Sequence, residues 1–240
     1  MKKICVIGAG TMGAAIAQVC ATAGYDVVMR DIDQKFVDNG LKFITKGLEK
    51  AVAKEKIDGA TKDAILGRVT GTVDVQGSAD ADLVIEAAVE QMELKKKIFA
   101  ELDKVCKPEA ILATNTSSLS ITDIATATSR PEKFIGMHFF NPATIMKLVE
   151  IIRGIATSQE TFDAVQEVTT KIGKTPVEVA EGPGFVVNRI LVPMMNEAIG
   201  ILADGFASAE DIDAAMKLGA GMPMGPLTLA DMVGMDIVLA

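Results

Sequence analysis

Short apolar runs alternate along this chain with longer stretches in which apolar residues recur every three to four positions. The runs at 3–7, 25–30, 69–70, 83–86, 111–114, 134–137, 148–152 and 176–179 carry the Val, Ile and Leu content of buried strands. Between them, residues 14–23, 33–54, 61–67, 93–105 and 158–172 read as helices. In the second of these, Phe36, Leu41, Ile44, Leu48 and Val52 fall near one face. Lys107-Pro108 stops the 93–105 helix. Such alternation of strand and helix predicts a Rossmann-like, doubly wound and mostly parallel α/β sheet with right-handed crossovers.

The pattern changes at Glu181-Gly182-Pro183-Gly184. Strand signals stop there, and 185–203, 208–217 and the residues from 227 on have helical periodicity. The expected division is a nucleotide-binding domain at 1–183 and a smaller all-helical domain at 184–240. The sequence ends on Ile237-Val238-Leu239-Ala240 with no cap and no polar tail, so that helical domain is expected to be incomplete.

Composition narrows the function classes. Hydrophobic residues make up 49% of the chain and aromatics 4%, a balance suited to helices packed on a parallel sheet. A net charge of −8 argues against a nucleic-acid partner, which calls for a basic domain. It also means that an anionic ligand must be held by a local feature against the global field. Cys5, Cys20 and Cys106 are far apart in apolar surroundings with no metal-ligand spacing, and read as buried free thiols of a reducing compartment. The opening Met-Lys-Lys-Ile is broken at once by glycines and reads as a strand, not a signal peptide. No stretch is long enough to span a membrane. The expectation is a cytoplasmic protein with no metal.

The first chemical motif is Gly8-Ala9-Gly10-Thr11-Met12-Gly13, a G-x-G-x-x-G pattern between a strand and a helix. Gly8 permits the turn, Gly10 allows close approach of a pyrophosphate, and Gly13 lets the helix pack against the sheet. Thr11 and Met12 open the helix whose positive N-terminal end faces the phosphates. Asp31 ends the second strand, where a carboxylate accepts from ribose hydroxyls and repels a 2′-phosphate. That favours NAD(H) over NADP(H), with the neighbouring Arg30 as a complicating cation.

Further along, Glu90 and Lys95 follow a buried strand at its ligand-facing end. They either meet the nicotinamide half of the cofactor or are simply exposed charges at a helix start. Asn115-Thr116-Ser117-Ser118 follows the next strand and offers either ligand contacts or a helix N-cap. Lys42, Lys46, Lys50 and Lys54 recur every four residues, as a phosphate-binding stripe or a solvated face.

His138 is the single histidine, at the end of the 134–137 run and before Phe139-Phe140-Asn141-Pro142; Glu150 lies twelve residues on. An unperturbed imidazole titrates near pH 6.5, so it is the side chain suited to proton exchange at neutrality. A carboxylate on one ring nitrogen would fix the tautomer and support the imidazolium.

These motifs together resemble the L-3-hydroxyacyl-CoA dehydrogenases. The resemblance rests on Val6–Gly13, on Asp82-Leu83-Val84-Ile85-Glu86-Ala87-Ala88, on Asn115–Ser120, on Gly136–Pro142 and on Pro183-Gly184-Phe185-Val186-Val187-Asn188-Arg189, in that order. It implies a His138–Glu150 pair that moves the 3-hydroxyl proton while NAD(H) carries the hydride. It implies substrate contacts at Ser117 and Asn188, and cofactor contacts at Asp31, Glu90, Lys95, Asn115, Ser117 and Asn141. Lys50 and Lys54 would then meet the coenzyme A moiety. The implied substrates are (S)-3-hydroxybutyryl-CoA and acetoacetyl-CoA, and the implied assembly, where the helical domain is complete, is a homodimer or higher homo-oligomer. Two other functions remain compatible with the sequence: a superfamily dehydrogenase of a free hydroxy acid, and an NAD-binding protein without catalysis.

Overall fold

The computed structural model describes residues 1–239, which divide into two compact units, Met1–Pro183 and the residues from Gly184 on. An eight-stranded sheet runs through the first unit in the order β3-β2-β1-β4-β5-β6-β7-β8. The strands are β1 (Lys3–Ile7), β2 (Asp26–Arg30), β3 (Val69–Thr72), β4 (Leu83–Glu86), β5 (Ile111–Thr114), β6 (Phe134–Phe139), β7 (Leu148–Arg153) and β8 (Thr175–Ala180). β1 to β6 are mutually parallel, as expected of a doubly wound sheet. Ile4, Val6, Leu83, Ile85, Leu112 and Ala113 have no exposed surface, because helices cover both faces. Burial of each such branched side chain stabilises the fold by about 1.5–3 kcal/mol.

Helices α1 (Thr11–Thr22), α2 (Gln34–Ala53), α3 (Gly59–Leu66), α4 (Met92–Val105), α5 (Ile121–Ala125) and α6 (Gln159–Lys171) complete this unit. α2 buries Val37, Gly40, Ile44 and Leu48. Phe36 is not on that face and is 46% exposed, which corrects the stripe expected from hydrophobicity alone. The reason is Gly40. A Cβ there would lie 2.8 Å from the Ala9 carbonyl oxygen, so the helix approaches the glycine-rich loop with a bare backbone instead of an apolar side chain. α5 is the helix that the N-cap reading of the serine loop implies: Ser120 caps it by accepting from the Asp123 amide, although its five residues are too few to show a period.

The sheet reverses between β6 and β7, which pair antiparallel. The 140–147 connection is too short for a crossover, and a short connection delivers the next strand antiparallel. β8 then returns parallel to β7 after α6.

The second unit is helical: α7 (Val187–Ala203), α8 (Ala209–Gly219), α9 (Pro226–Val233) and α10 (Met235–Leu239). Ser208 caps α8 by accepting from the Asp211 amide. Asp213 on α8 accepts from the Leu227 and Thr228 amides at 2.9 and 3.0 Å and so caps α9. The helical pattern from 227 on is broken at Gly234, whose φ of 98° ends α9. Among the described residues, no helix is long and apolar enough to cross a membrane.

Candidate active site

The turn after β1 is shaped by what glycine lacks. Gly8 has φ of 103°, and a Cβ on it would lie 2.6 Å from the Ala87 carbonyl oxygen. A Cβ on Gly13 would lie 1.9 Å from the Gly8 carbonyl oxygen, so α1 can start this close to the sheet only with glycine there. Gly10 is different: nothing stands within 4 Å of its Cβ position. It is the N-cap of α1 and supplies no side-chain cap to the first-turn amides, which begin at exposed Thr11 and half-buried Met12. An open backbone cradle at the positive end of a helix fits a pyrophosphate.

Asp31 completes this end of the crevice. Its Oδ2 accepts from the Ala9 amide at 2.7 Å and its Oδ1 from the Ile32 amide at 2.7 Å, which pins the carboxylate against the glycine loop. Arg30 Nε donates to the Val73 carbonyl at 3.4 Å.

The ends of β4 and β5 carry a second cluster. Glu86, wholly buried, accepts from Lys95 Nζ at 2.7 Å, Thr114 Oγ1 at 2.6 Å and the Ala88 amide at 2.7 Å. Lys95 is only 1% exposed and also pairs with Glu90 Oε2 at 3.2 Å. The other Glu90 oxygen accepts from the Thr116 hydroxyl and from the Ser117 amide at 2.8 Å, with the Ser117 hydroxyl at 3.3 Å. Burial alone would raise the Glu90 carboxyl, but the Lys95 ammonium and these donors hold it below the usual carboxylate range. The sequence indicated Glu90, Lys95 and Ser117 without showing that one carboxylate gathers the serine loop. Thr116 was indicated only as one of the polar residues of the Asn115–Ser118 run, and Glu86 and Thr114 were not singled out; the only signal for Glu86 was a carboxylate ending a buried run.

His138 and Glu150 are cross-strand partners in the antiparallel β6–β7 ladder. His138 Nδ1 lies 2.8 Å from Glu150 Oε2, with side-chain exposures of 7% and 1%. The pair is thus held by strand register, with no loop between sheet and carboxylate. The Phe140 ring packs against the imidazole at a centroid distance of 4.5 Å. Asn115 ties the clusters together, its Oδ1 accepting from the Phe139 amide at 2.8 Å. Asn141 lies exposed just beyond, in the 140–147 connection.

Two groups of expected residues stand apart. Lys42, Lys46, Lys50 and Lys54 are all exposed, the first three on α2 and Lys54 as its C-cap. Asn188 belongs to the first turn of α7 in the second unit. Among the described residues, no group of three His, Cys, Asp or Glu side chains is placed to hold a metal. The three cysteines are free and buried, and burial pushes the Cys5 and Cys20 thiols up to about 12, so they stay protonated at neutral pH.

Comparison with known proteins agrees with this geometry. The family profile described as "3-hydroxyacyl-CoA dehydrogenase, NAD binding domain" matches residues 3–182, and its C-terminal-domain counterpart matches 184–240. The chain is 56% identical to the 3-hydroxybutyryl-CoA dehydrogenase of Clostridioides difficile over 238 residues, 99% of this chain and 85% of that one. It is 46% identical to the human mitochondrial hydroxyacyl-coenzyme A dehydrogenase over 243 residues, 98% of this chain and 77% of that one. Its fold matches the crystal structure of (S)-3-hydroxybutyryl-CoA dehydrogenase from Ralstonia eutropha with a TM-score of 0.97 at 48% identity. That match covers all of this chain and 84% of the other. The cofactor is NAD(H).

Proposed function

Because this chain belongs to the 3-hydroxyacyl-CoA dehydrogenase family, we propose that it interconverts (S)-3-hydroxybutyryl-CoA and acetoacetyl-CoA, with His138 as general acid/base and Glu150 as its support. Bound NAD(H) supplies the hydride acceptor or donor. In the oxidative direction the C3–H and O–H bonds of the hydroxyacyl group break and a carbonyl forms. His138 takes the hydroxyl proton at Nε2, since Nδ1 faces Glu150. In reduction the same nitrogen returns it. Glu150 keeps the ring in one tautomer and stabilises the imidazolium as it forms.

The observation that carries this assignment is the 2.8 Å contact between two buried side chains at the end of the strand that leads out of the crevice. The remaining residues take the roles that family membership suggests. Gly8, Gly10, Thr11, Met12 and Gly13 hold the pyrophosphate and Asp31 the adenosine ribose. Glu90, Lys95, Asn115, Ser117 and Asn141 line the nicotinamide half. Ser117 and Asn188 orient the acyl group, and the exposed Lys50 and Lys54 meet the coenzyme A phosphates. The helical unit serves substrate binding and dimerisation.

The test is acetoacetyl-CoA-dependent oxidation of NADH by this chain and by His138→Gln. Steady turnover of the parent is expected, with a fall of about 10²–10⁴-fold in the variant and little change in NADH binding. Near-normal turnover of His138→Gln would take His138 out of the mechanism. NADH binding without parent turnover would rule out this substrate.

A further inference from the structure

Lys174 is a buried cation that neither the glycine crevice nor the His138–Glu150 pair uses. It stands between α6 and β8, 7% exposed. Among the described residues, no carboxylate lies within ion-pair distance of it. Burying an ammonium without a counter-charge is costly unless its protons find acceptors. Here they do: Nζ donates to the carbonyl oxygens of Ala143 and Met146, the latter at 2.6 Å.

Both carbonyls belong to the 140–147 connection between β6 and β7. That segment is otherwise thinly held. Ala143 is buried, but Asn141, Pro142, Thr144, Ile145, Met146 and Lys147 are exposed. Its internal bonds are those from the Ile145 and Met146 amides to the Pro142 carbonyl, at 2.9 and 3.0 Å. The next residue along, Thr175, donates its amide to the Lys147 carbonyl at 2.7 Å, so Lys174 and Thr175 grip the connection side by side.

What the connection restrains is the open end of the β6–β7 ladder. Its last rung is Phe139 with Val149, and the next is His138 with Glu150. A strand pair frays from its end, so a slack connection would loosen the Phe139 rung first and the His138 rung second. Two charge-assisted hydrogen bonds to carbonyls, each stronger than a neutral one, oppose this.

We propose that Lys174 is a positioning residue: its ammonium staples the 140–147 connection and thereby keeps His138 in register with Glu150. The proposal rests on the catalytic reading of that pair, and its structural half can be measured without it.

The experiment compares Lys174→Met, Lys174→Gln and Lys174→Arg in the full chain, by steady-state kinetics and by amide hydrogen exchange. Lys174→Met should lower kcat by about 10–100-fold, the cost of a small misplacement of catalytic groups, while the KM for NADH stays within about threefold. Exchange should accelerate about tenfold at residues 139–149 and stay unchanged in β1, β4 and β5. Lys174→Arg, which keeps the charge and the donors, should recover most of kcat. Lys174→Gln, a neutral donor, should fall between and carries the test if the methionine variant does not fold. Unchanged exchange at 139–149, or acceleration spread evenly over the sheet, would overturn the staple. Accelerated exchange at 139–149 with unchanged kcat would overturn its role in catalysis. If the parent shows no turnover with acetoacetyl-CoA, the substrate assignment fails, and the exchange data alone decide the staple.

Discussion

Replacing Glu150 by Gln is the sharpest test of the proton-transfer geometry, because it removes a charge and almost no volume. The carboxylate oxygen is 2.8 Å from His138 Nδ1, and both side chains are nearly fully buried. When the imidazole takes the substrate proton, its positive charge lies about 4 Å from the carboxylate charge. At an effective dielectric of about 20, that attraction is worth about 4 kcal/mol. A glutamine oxygen would return about 1 kcal/mol of it as a neutral hydrogen bond. The loss of about 3 kcal/mol corresponds to about 10²-fold in kcat. A second effect adds to this. If the glutamine turns its NH₂ toward Nδ1, the ring proton moves to Nε2 and the base is lost, which takes the fall toward about 10⁴-fold. The expected result is therefore kcat reduced by about 10²–10⁴, with NADH affinity by fluorescence titration and the denaturation midpoint close to the parent's. A folded variant with kcat within threefold of the parent would refute the claim that Glu150 supports His138.

Gly13→Ala and Gly10→Ala separate packing from binding. The first puts a Cβ 1.9 Å from the Gly8 carbonyl oxygen and should cost about 1–3 kcal/mol by overpacking as well as NADH affinity, read by thermal melt and titration. The second enters open space at φ −68°, which alanine accepts. It should keep stability within about 1 kcal/mol while still weakening NADH; equal effects of the two on melting would contradict this account. Asp31→Ala should weaken NADH and narrow the preference over NADPH, and an unchanged ratio of the two dissociation constants would remove Asp31 from cofactor choice. Asp82 offers a pH test at the other end of the sheet. Burial alone would raise its carboxyl, but Lys107 and the Lys2 and Lys3 amides hold it down at about 2. A depressed pKa stabilises the fold above the unfolded value near 4 and loses that contribution as pH falls toward 2. Asp82→Asn should thus cost about 1 kcal/mol at neutral pH, allowing for solvent screening, and nothing near pH 2; a cost independent of pH would refute it.

The parallel half of the sheet was legible because its strands are apolar on both faces and its nucleotide turn depends on three glycines whose spacing is visible in sequence. Asp31 and His138 were legible as residue types at strand ends, and Glu150 as a carboxylate inside the next strand. The buried ion pair of Glu86 and Lys95 was not. Charged residues ordinarily mark solvated positions, and only the fold reveals that Lys95 turns inward to 1% exposure. Phe36 misled for the converse reason: Gly40 took the place against the glycine loop, and a missing side chain contributes nothing to a hydrophobic pattern. Lys174 drew no reading from the sequence, since the carbonyls of an irregular connection that it binds have no signature there.

On the proposed reading, the reversal at β6–β7 sets proton chemistry and cofactor binding on different parts of one sheet. Strands β1 to β6 all point their carboxyl ends toward the crevice, so a ligand there meets backbone amides and the short polar side chains that follow each strand. Another parallel strand would have presented one more such end and one more loop. An antiparallel strand instead runs back past His138 and sets Glu150 directly across from it, on the same face of the sheet. Because side chains alternate between faces, a slip of one residue would carry Glu150 to the opposite side. Strand register thus sets the two side chains across from one another. It also makes the 140–147 connection, through its grip by Lys174 and Thr175, the segment on which that register depends.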